Sequence, residues 1–429
     1  MFKELHPTIR VRIFISFLSK IIGASVFPFM AIYFSNHLNA PLAGALLIIN
    51  TTIQIIASFF GGYLADNIGR RRLQVVGEWI KFLTLVGMAI VNSNLVGSVG
   101  LTFVMLLIMS VAQGAILPAT DAMLIDVSTP ETRAYMYSIN YWGSNLAMMI
   151  GIILGGWLFQ EYMFNLLLFL ASLSLVTAIL TTVMITETLP LNNHEIKIKN
   201  KTNLKNLIIG YKDVLSDYRF LLYILGGIML MSIEFQRDNY ISVRLVQEFT
   251  SPPFLDNINI PISGIRLLSI LTVLNMILIV ILSPIISSFT KNNLSLKKMY
   301  TGFILFAIGY AVCSFANDIF VLFIATTILS IGELIYVPIR QSILSEIIDK
   351  NKRGAYMAVN GMVIHFGKLV ASSCLLVSPF INKYMMGVLI FIFGLISIIF
   401  TEVSIKKFTR KKSNTVIEKL YDRESEKIT

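Results

Sequence analysis

From residue 11 to residue 404 the chain alternates between long apolar runs and short polar interruptions. An α-helix rises about 1.5 Å per residue, so about 20 apolar residues cross the ~30 Å hydrocarbon core of a bilayer. Runs of roughly that length fall at 11–34, 41–64, 73–92, 98–120, 138–159 and 163–186. They recur at 219–243, 262–289, 299–316, 319–345, 355–380 and 385–404. Inside lipid each backbone N–H and C=O needs a partner, and a helix supplies them within one segment. The pattern predicts an all-α membrane protein of 12 transmembrane helices. One long polar stretch, NNHEIKIKNKTNLKNLIIGYKDVLSDYR, separates the sixth span from the seventh. It predicts a linker, with room for a short amphipathic helix on the membrane surface. The expected organisation is an N-terminal six-helix bundle over 1–190, a cytoplasmic linker over 191–217, a C-terminal six-helix bundle over 218–405 and a basic cytoplasmic tail over 406–429.

Composition narrows the class. The 429 residues are 55% hydrophobic and 14% charged, whereas soluble domains average about 25% charged. The formal net charge of +11 would suit a nucleic-acid partner in a polar chain. Beside these apolar runs it fits the excess of Lys and Arg in cytoplasmic loops instead, and no nucleic-acid partner is expected. With both termini in the cytoplasm, the inner loops hold Arg70, Arg71, Arg72, Arg133, Lys291, Lys297, Lys298, Lys350, Lys352 and Arg353, besides those of the linker. The outer loops hold only Arg244, Arg266 and Lys383. The stretch MFKELHPTIRVR precedes a run too long for a signal peptide and without an A-x-A site, so the first span is expected to be retained. The two cysteines, Cys313 and Cys374, sit in separate apolar runs and form neither a disulfide framework nor a metal spacing.

The two halves repeat. PATDAMLIDVSTPETRAYM, from Pro118, aligns with PIRQSILSEIIDKNKRGAYM, from Pro338. Asp126 then matches Glu346 and Arg133 matches Arg353, at an offset of 220. After one inserted glycine, Ala-Tyr-Met recurs. Span four therefore corresponds to span ten, as a duplication of six helices requires, and parallel six-helix repeats are a transporter architecture.

Between spans two and three lies GGYLADNIGRRRLQ, residues 61–74. Gly61 and Gly62 allow close helix contact. Asp66 falls where span two leaves the bilayer, Gly69 permits a tight turn, and Arg70, Arg71 and Arg72 follow. A plain basic loop would account for the arginines but not for the Gly, Leu-Ala-Asp and Gly at fixed spacing. G-x-L-A-D-x-x-G-R-R resembles the signature loop of the major facilitator superfamily, with Asn67 where many members carry arginine or lysine. With the spans and the repeat, the resemblance covers nearly the whole chain. It implies two pseudo-symmetric six-helix bundles around a central cavity, working by alternating access. It also implies a cytoplasmic gate of Gly62, Asp66, Gly69, Arg70, Arg71, Asp126 and Arg133, in which Asp66, Arg70 and Asp126 latch the inner side with the start of span eleven. The second-half counterpart, SSFTKNNLSLKKMYTG, keeps positive charge but lacks the acid and the glycines. In span five, GIILGG (151–156) resembles the Gly-Pro-x-x-Gly-Gly element of drug:proton antiporters, with Ile152 in place of proline. A glycine-lined packing face explains it equally well.

Charges also fall inside the spans. A carboxylate at mid-bilayer is costly and usually serves a function. Span seven carries Glu234, Arg237 and Asp238, which share one face of a continuous helix. Span ten carries Glu333 near the midplane and Arg340 two turns nearer the cytoplasm, a candidate gate or cavity-mouth charge. Span eleven adds His365 and Lys368, span one Lys20, and span three Glu78 and Lys81. Arg237–Asp238 and Glu78–Lys81 also read as structural ion pairs. Glu333 has no basic residue within a turn on its own helix, although Lys368 or Lys20 could reach it across a cavity. Burial without a close cation disfavours a charged carboxylate, so Glu333 is expected to load and release a proton, with Glu234 and Asp238 as further coupling candidates. GELIYVP in span ten and QRDNY in span seven resemble the gram-positive, lactococcal-type multidrug exporters, whose span-seven and span-ten acids couple protons to export of lipophilic cations. Where such exporters can carry a further acid in span five, SINYWGSN offers only Asn140. Candidate cavity residues are Lys20, Asn140, Tyr141, Phe235, Arg237, Tyr336, His365 and Lys368, with Tyr137, Trp142 and Tyr240 beside them. Aromatic rings can hold cations, although such rings are also ordinary lipid-facing residues.

No G-x-x-x-x-G-K-[ST] is present. GMVIHFGKL has one residue too many and lies in a span, so no ATPase subunit is expected. Nor is there H-E-x-x-H or G-x-S-x-G, and neither an enzyme, a metal site nor a cofactor beyond a proton gradient is expected. The leading expectation is a secondary active transporter that exports lipophilic or cationic compounds. A carrier for one native solute (lipid precursor, metabolite or siderophore) and a non-transporting sensor of the same fold are the alternatives. The expected partners are a small-molecule substrate and the lipid bilayer, the expected state a monomer, and the expected site a bacterial plasma membrane.

Overall fold

A computed structural model of the chain describes residues 7–94, 96–126, 130–188, 214–250, 262–291, 295–348 and 353–409. Most of the expected linker and tail, and the side chains of Asp66, Arg133 and Tyr137, lie outside the described residues. Among the described residues, 11 helices are long and apolar enough to cross a membrane. The expected fifth span falls within a further 29-residue helix, Pro130–Leu158, that is not one of the 11. The chain divides into two compact units, 1–42 with 46–204, and 43–45 with 205–429.

In the first unit, α1 (Pro7–Val26) passes through a 3-10 turn, Phe27–Phe29, into α2 (Met30–His37). Pro28 stands in the first turn, where a missing N–H breaks no helical bond. Helix α3 (Ala40–Ile68) begins at Asn39, whose side chain accepts the N–H of Leu42 at 2.8 Å, satisfying one of the free donors of a helix start. Then follow α4 (Arg70–Val91), α5 (Val99–Asp126), α6 (Pro130–Leu158) and α7 (Met163–Met184). Hydroxyls survive in these apolar helices by bonding back to their own backbone. Thr181 donates to the carbonyl of Thr177 and Thr182 to that of Ala178.

In the second unit, α8 (Tyr218–Glu234) ends in a turn at Phe235 and Gln236. A π-helical segment, Arg237–Ile241, follows and leads into α9 (Ser242–Glu248). The carbonyl of Gln236 accepts the N–H groups of both Asn239 and Ile241, so the regular i→i−4 ladder is interrupted there. Helices α10 (Gly264–Lys291), α11 (Leu296–Cys313), α12 (Ile319–Ile347), α13 (Arg353–Val377) and α14 (Lys383–Thr409) complete the unit. Pro118 and Pro338, the first residues of the repeat, lie inside α5 and α12, helices of 28 and 29 residues.

Two expectations change. Glu234, Arg237 and Asp238 do not continue one α-helical face, because the turn and the π segment intervene. Arg244, assigned to an outer loop, is 3% exposed and lies within α9. The irregular segment prolongs span seven to Glu248, and that places the guanidinium at the end of α11. It donates to the carbonyls of Cys313 (3.1 Å) and Ala316 (2.6 Å) and to the side-chain oxygen of Asn317. Glu248 lies between Arg244 (3.5 Å) and Lys383 of α14 (2.9 Å).

Candidate functional site

The loop between α3 and α4 is built around Gly69, whose φ of +100° favours glycine. A Cβ there would also strike the carboxylate of Glu187. Arg70 forms an ion pair with Asp126 at the end of α5, the contact the family resemblance implies. Arg71 turns the other way. Its Nε donates to the carbonyl of Ile185 (2.6 Å) and its Nη2 to that of Thr182 (2.8 Å), where α7 leaves carbonyls without helical partners. Its backbone N–H donates to Glu187 Oε2 at 3.0 Å, so a carboxylate sits at the start of α4, where the helix dipole favours negative charge. One tripeptide, Gly69-Arg70-Arg71, thus ties the starts and ends of α3, α4, α5 and α7 together. Sequence reasoning missed Glu187; its signal was an acid directly after the sixth span, in ITETLP. It also favoured Gly62 equally with Gly61. The close approach belongs to Gly61, which lies against the backbone of Ala115, whereas Gly62 has room beside Pro118.

In the second unit Glu333 is the middle residue of α12, with 14 residues on either side. Asn275 of α10 donates from Nδ2 to Glu333 Oε2 (3.3 Å) and to Ser330 Oγ (2.9 Å). Glu234 and Arg237 are within electrostatic reach of Glu333. Arg237 Nε donates to Asp238 Oδ1 at 3.0 Å, and Arg237, Asn275 and Tyr310 line a common cavity. Arg237, at the start of the π segment, is thus a cation within electrostatic reach of Glu333. Such segments often occur at functional positions because they turn side chains away from the regular helical rows. Lys368 lies over the ring of Phe235, 5.2 Å from its centroid.

The aromatic candidates separate. Tyr336 is 2% exposed and packs edge-on against Phe303 and Phe306 of α11, each at 5.2 Å, so it joins α11 to α12. Tyr141 and Trp142 are exposed, Asn140 and His365 are half-buried, and Tyr240 is buried. Arg340 is not a free gate charge. It stacks on Tyr223 of α8 at 4.4 Å and donates to that residue's carbonyl at 3.3 Å, while the Tyr223 hydroxyl donates to the carbonyl of Arg340 at 2.5 Å. Glu78 and Lys81 form a buried ion pair, with Lys81 Nζ 3.0 Å from both carboxylate oxygens. Thr177 donates to Glu78 at 2.8 Å and Lys81 to Ser19 at 3.2 Å.

The profile of the Major Facilitator Superfamily matches residues 13–293 and 240–419. The chain belongs to the major facilitator superfamily. This facilitator is 28% identical over 376 residues to a Na(+), Li(+), K(+)/H(+) antiporter of Planococcus maritimus, across 86% of the present chain and 89% of that protein. It is 25% identical over 355 residues to the multidrug resistance protein MdtH of Blochmanniella pennsylvanica (strain BPEN), across 81% and 79%. The crystal structure of peptide transporter POT in complex with sulfate superposes with a TM-score of 0.71 over 94% of each chain, at 15% identity; that likeness concerns the fold. The facilitator is thus a multi-pass membrane transporter and not an enzyme.

Proposed function

We propose that this facilitator is a proton-coupled exporter of lipophilic cations. It would work by alternating access with twelve spans in two six-helix bundles and both termini in the cytoplasm of a bacterial cell. The observation that carries the reading is Glu333 at the centre of α12, about 21 Å of helix from either end, with one amide donor on its carboxylate. An acid at that depth exchanges its proton only when water reaches it, and alternating access delivers water from one side at a time. Arg237 within reach of Glu333 and Glu234 gives the deprotonated state a counter-charge. The MdtH relative supports a drug substrate. A second reading, exchange of Na(+), Li(+) or K(+) for protons, has its support in the Planococcus maritimus relative, and the same carboxylates offer oxygen ligands to a cation.

Everted vesicles carrying the protein test this. With an acid-inside pH gradient, wild type is expected to accumulate ethidium, to lose it when the gradient is collapsed, and to lose accumulation on Glu333→Gln. Equal accumulation by Glu333→Gln and wild type would remove Glu333 from coupling. Proton release on adding NaCl, followed with acridine orange and without ethidium movement, would favour the second reading.

A further inference from the structure

Arg12, on α1, is 3% exposed. Its neighbours fix its place: Ile9 and Ile13 pack with Leu124 of α5 and Met136 of α6, and Ile15 with Met123 and Ile185. Arg12 therefore stands where α1, the end of α5, the first turns of α6 and the chain leaving α7 meet. The same junction holds Asp126, paired with Arg70, and Glu187, bound to the start of α4. Both carboxylates are within electrostatic reach of Arg12. Neither bonds it. Nη2 meets the sulfur of Met123 at 2.9 Å, and Nε and Nη1 have no hydrogen-bond partner among the described residues. A thioether is a weak acceptor, and a buried guanidinium ordinarily has an acid. The second unit shows the ordinary arrangement. Arg219, near the start of α8, donates to Asp217 at 3.2 Å, and Asp217 also accepts the hydroxyl of Tyr356. Helix α1 contains no acidic residue at all.

We propose that Arg12 is the second partner of Asp126: when Arg70 withdraws from that carboxylate, the guanidinium of Arg12 takes it. The end of α5 then exchanges one arginine for another instead of being left with a bare charge. This rests on the reading of Arg70–Asp126 as a latch that opens during transport. Arg12 is a positioning residue in it, stabilising the unlatched state that the Arg70 pair opposes.

Hydrogen exchange of the backbone amides of residues 69–73, on the purified full-length protein in detergent, reports latch opening without needing a substrate. Asp126→Asn is expected to speed exchange. Arg12→Gln is expected to slow it about fivefold in the wild-type background and to have no effect in Asp126→Asn, since residues sharing one interaction are not additive. Arg12→Lys, which keeps the buried charge, is expected near wild type and serves if Arg12→Gln does not accumulate. A purely structural arginine would give faster exchange on removal. Faster exchange, unchanged exchange, or the same slowing in both backgrounds overturns the role of Arg12. If Asp126→Asn itself changes nothing, the latch reading falls instead.

Discussion

Glu78 and Glu333 are both carboxylates in membrane helices, but their surroundings differ. Glu78 has Lys81 on both oxygens and the Thr177 hydroxyl besides, a closed set of charge-assisted bonds. Breaking such a pair leaves a buried charge alone, at a cost of about 3–5 kcal/mol. Lys81→Met is therefore expected to lower the thermal unfolding midpoint in detergent markedly, and adding Glu78→Gln to recover part of the loss. Glu333→Gln keeps a carbonyl oxygen that can accept the Asn275 amide, loses at most one hydrogen bond, about 1 kcal/mol, and is expected to unfold near wild type while transport changes. The i,i+3 spacing made the Glu78–Lys81 pair readable. Ser19 and Thr177 were not readable, because they reach it from helices far away in sequence. Arg12 escaped notice for another reason: a basic residue at the inner end of a span looks like any other that obeys the charge bias of cytoplasmic loops.

At the scale of the element, apolar run length placed most helices well, since burial in lipid is what selects them. It failed at span seven, where the run ends at residue 243. Polar residues in QRDNY weaken the hydropathy signal just where the backbone adds a π turn, so most of helix α9 falls outside the apolar run. The consequence is testable at Arg244, which closes the end of α11 by donating to two carbonyls. Arg244→Met strands those groups in a buried place, at roughly 1–3 kcal/mol. The expected result is a lower unfolding midpoint and faster hydrogen exchange over residues 310–317, with α5 and α7 unaffected. The loop motif shows the opposite case. Its spacing was readable in full, yet the division of labour between Arg70 and Arg71 needed coordinates, because the two side chains serve different helices.

For the whole molecule, the internal repeat was legible through two prolines 220 residues apart, and both proved to lie inside long corresponding helices. The family followed from the loop motif. The substrate did not, since cavity walls are assembled from many helices and aromatic residues serve packing and binding alike. Tyr336 illustrates it: a cavity candidate by its place in span ten, it also packs in an aromatic cluster with Phe303 and Phe306. Orientation is the prediction that belongs here. Lys and Arg crowd the loops assigned to one side, so alkaline phosphatase fused after Thr429 is expected to be inactive in a bacterial host, and a fluorescent protein fused there to be bright. The reverse pattern would invert every assignment of inner and outer.

Tyr223 and Arg340 each donate to the other's backbone carbonyl. A reciprocal clasp of this kind opposes sliding, because a shift of α8 along α12 in either direction breaks both bonds together, at about 1 kcal/mol each. The clasp is one point of attachment between the helices, 11 residues of α8 from Glu234 and 7 residues of α12 from Glu333. If Glu234 and Glu333 are the coupling acids proposed above, that attachment limits how far the two can part when the cavity opens.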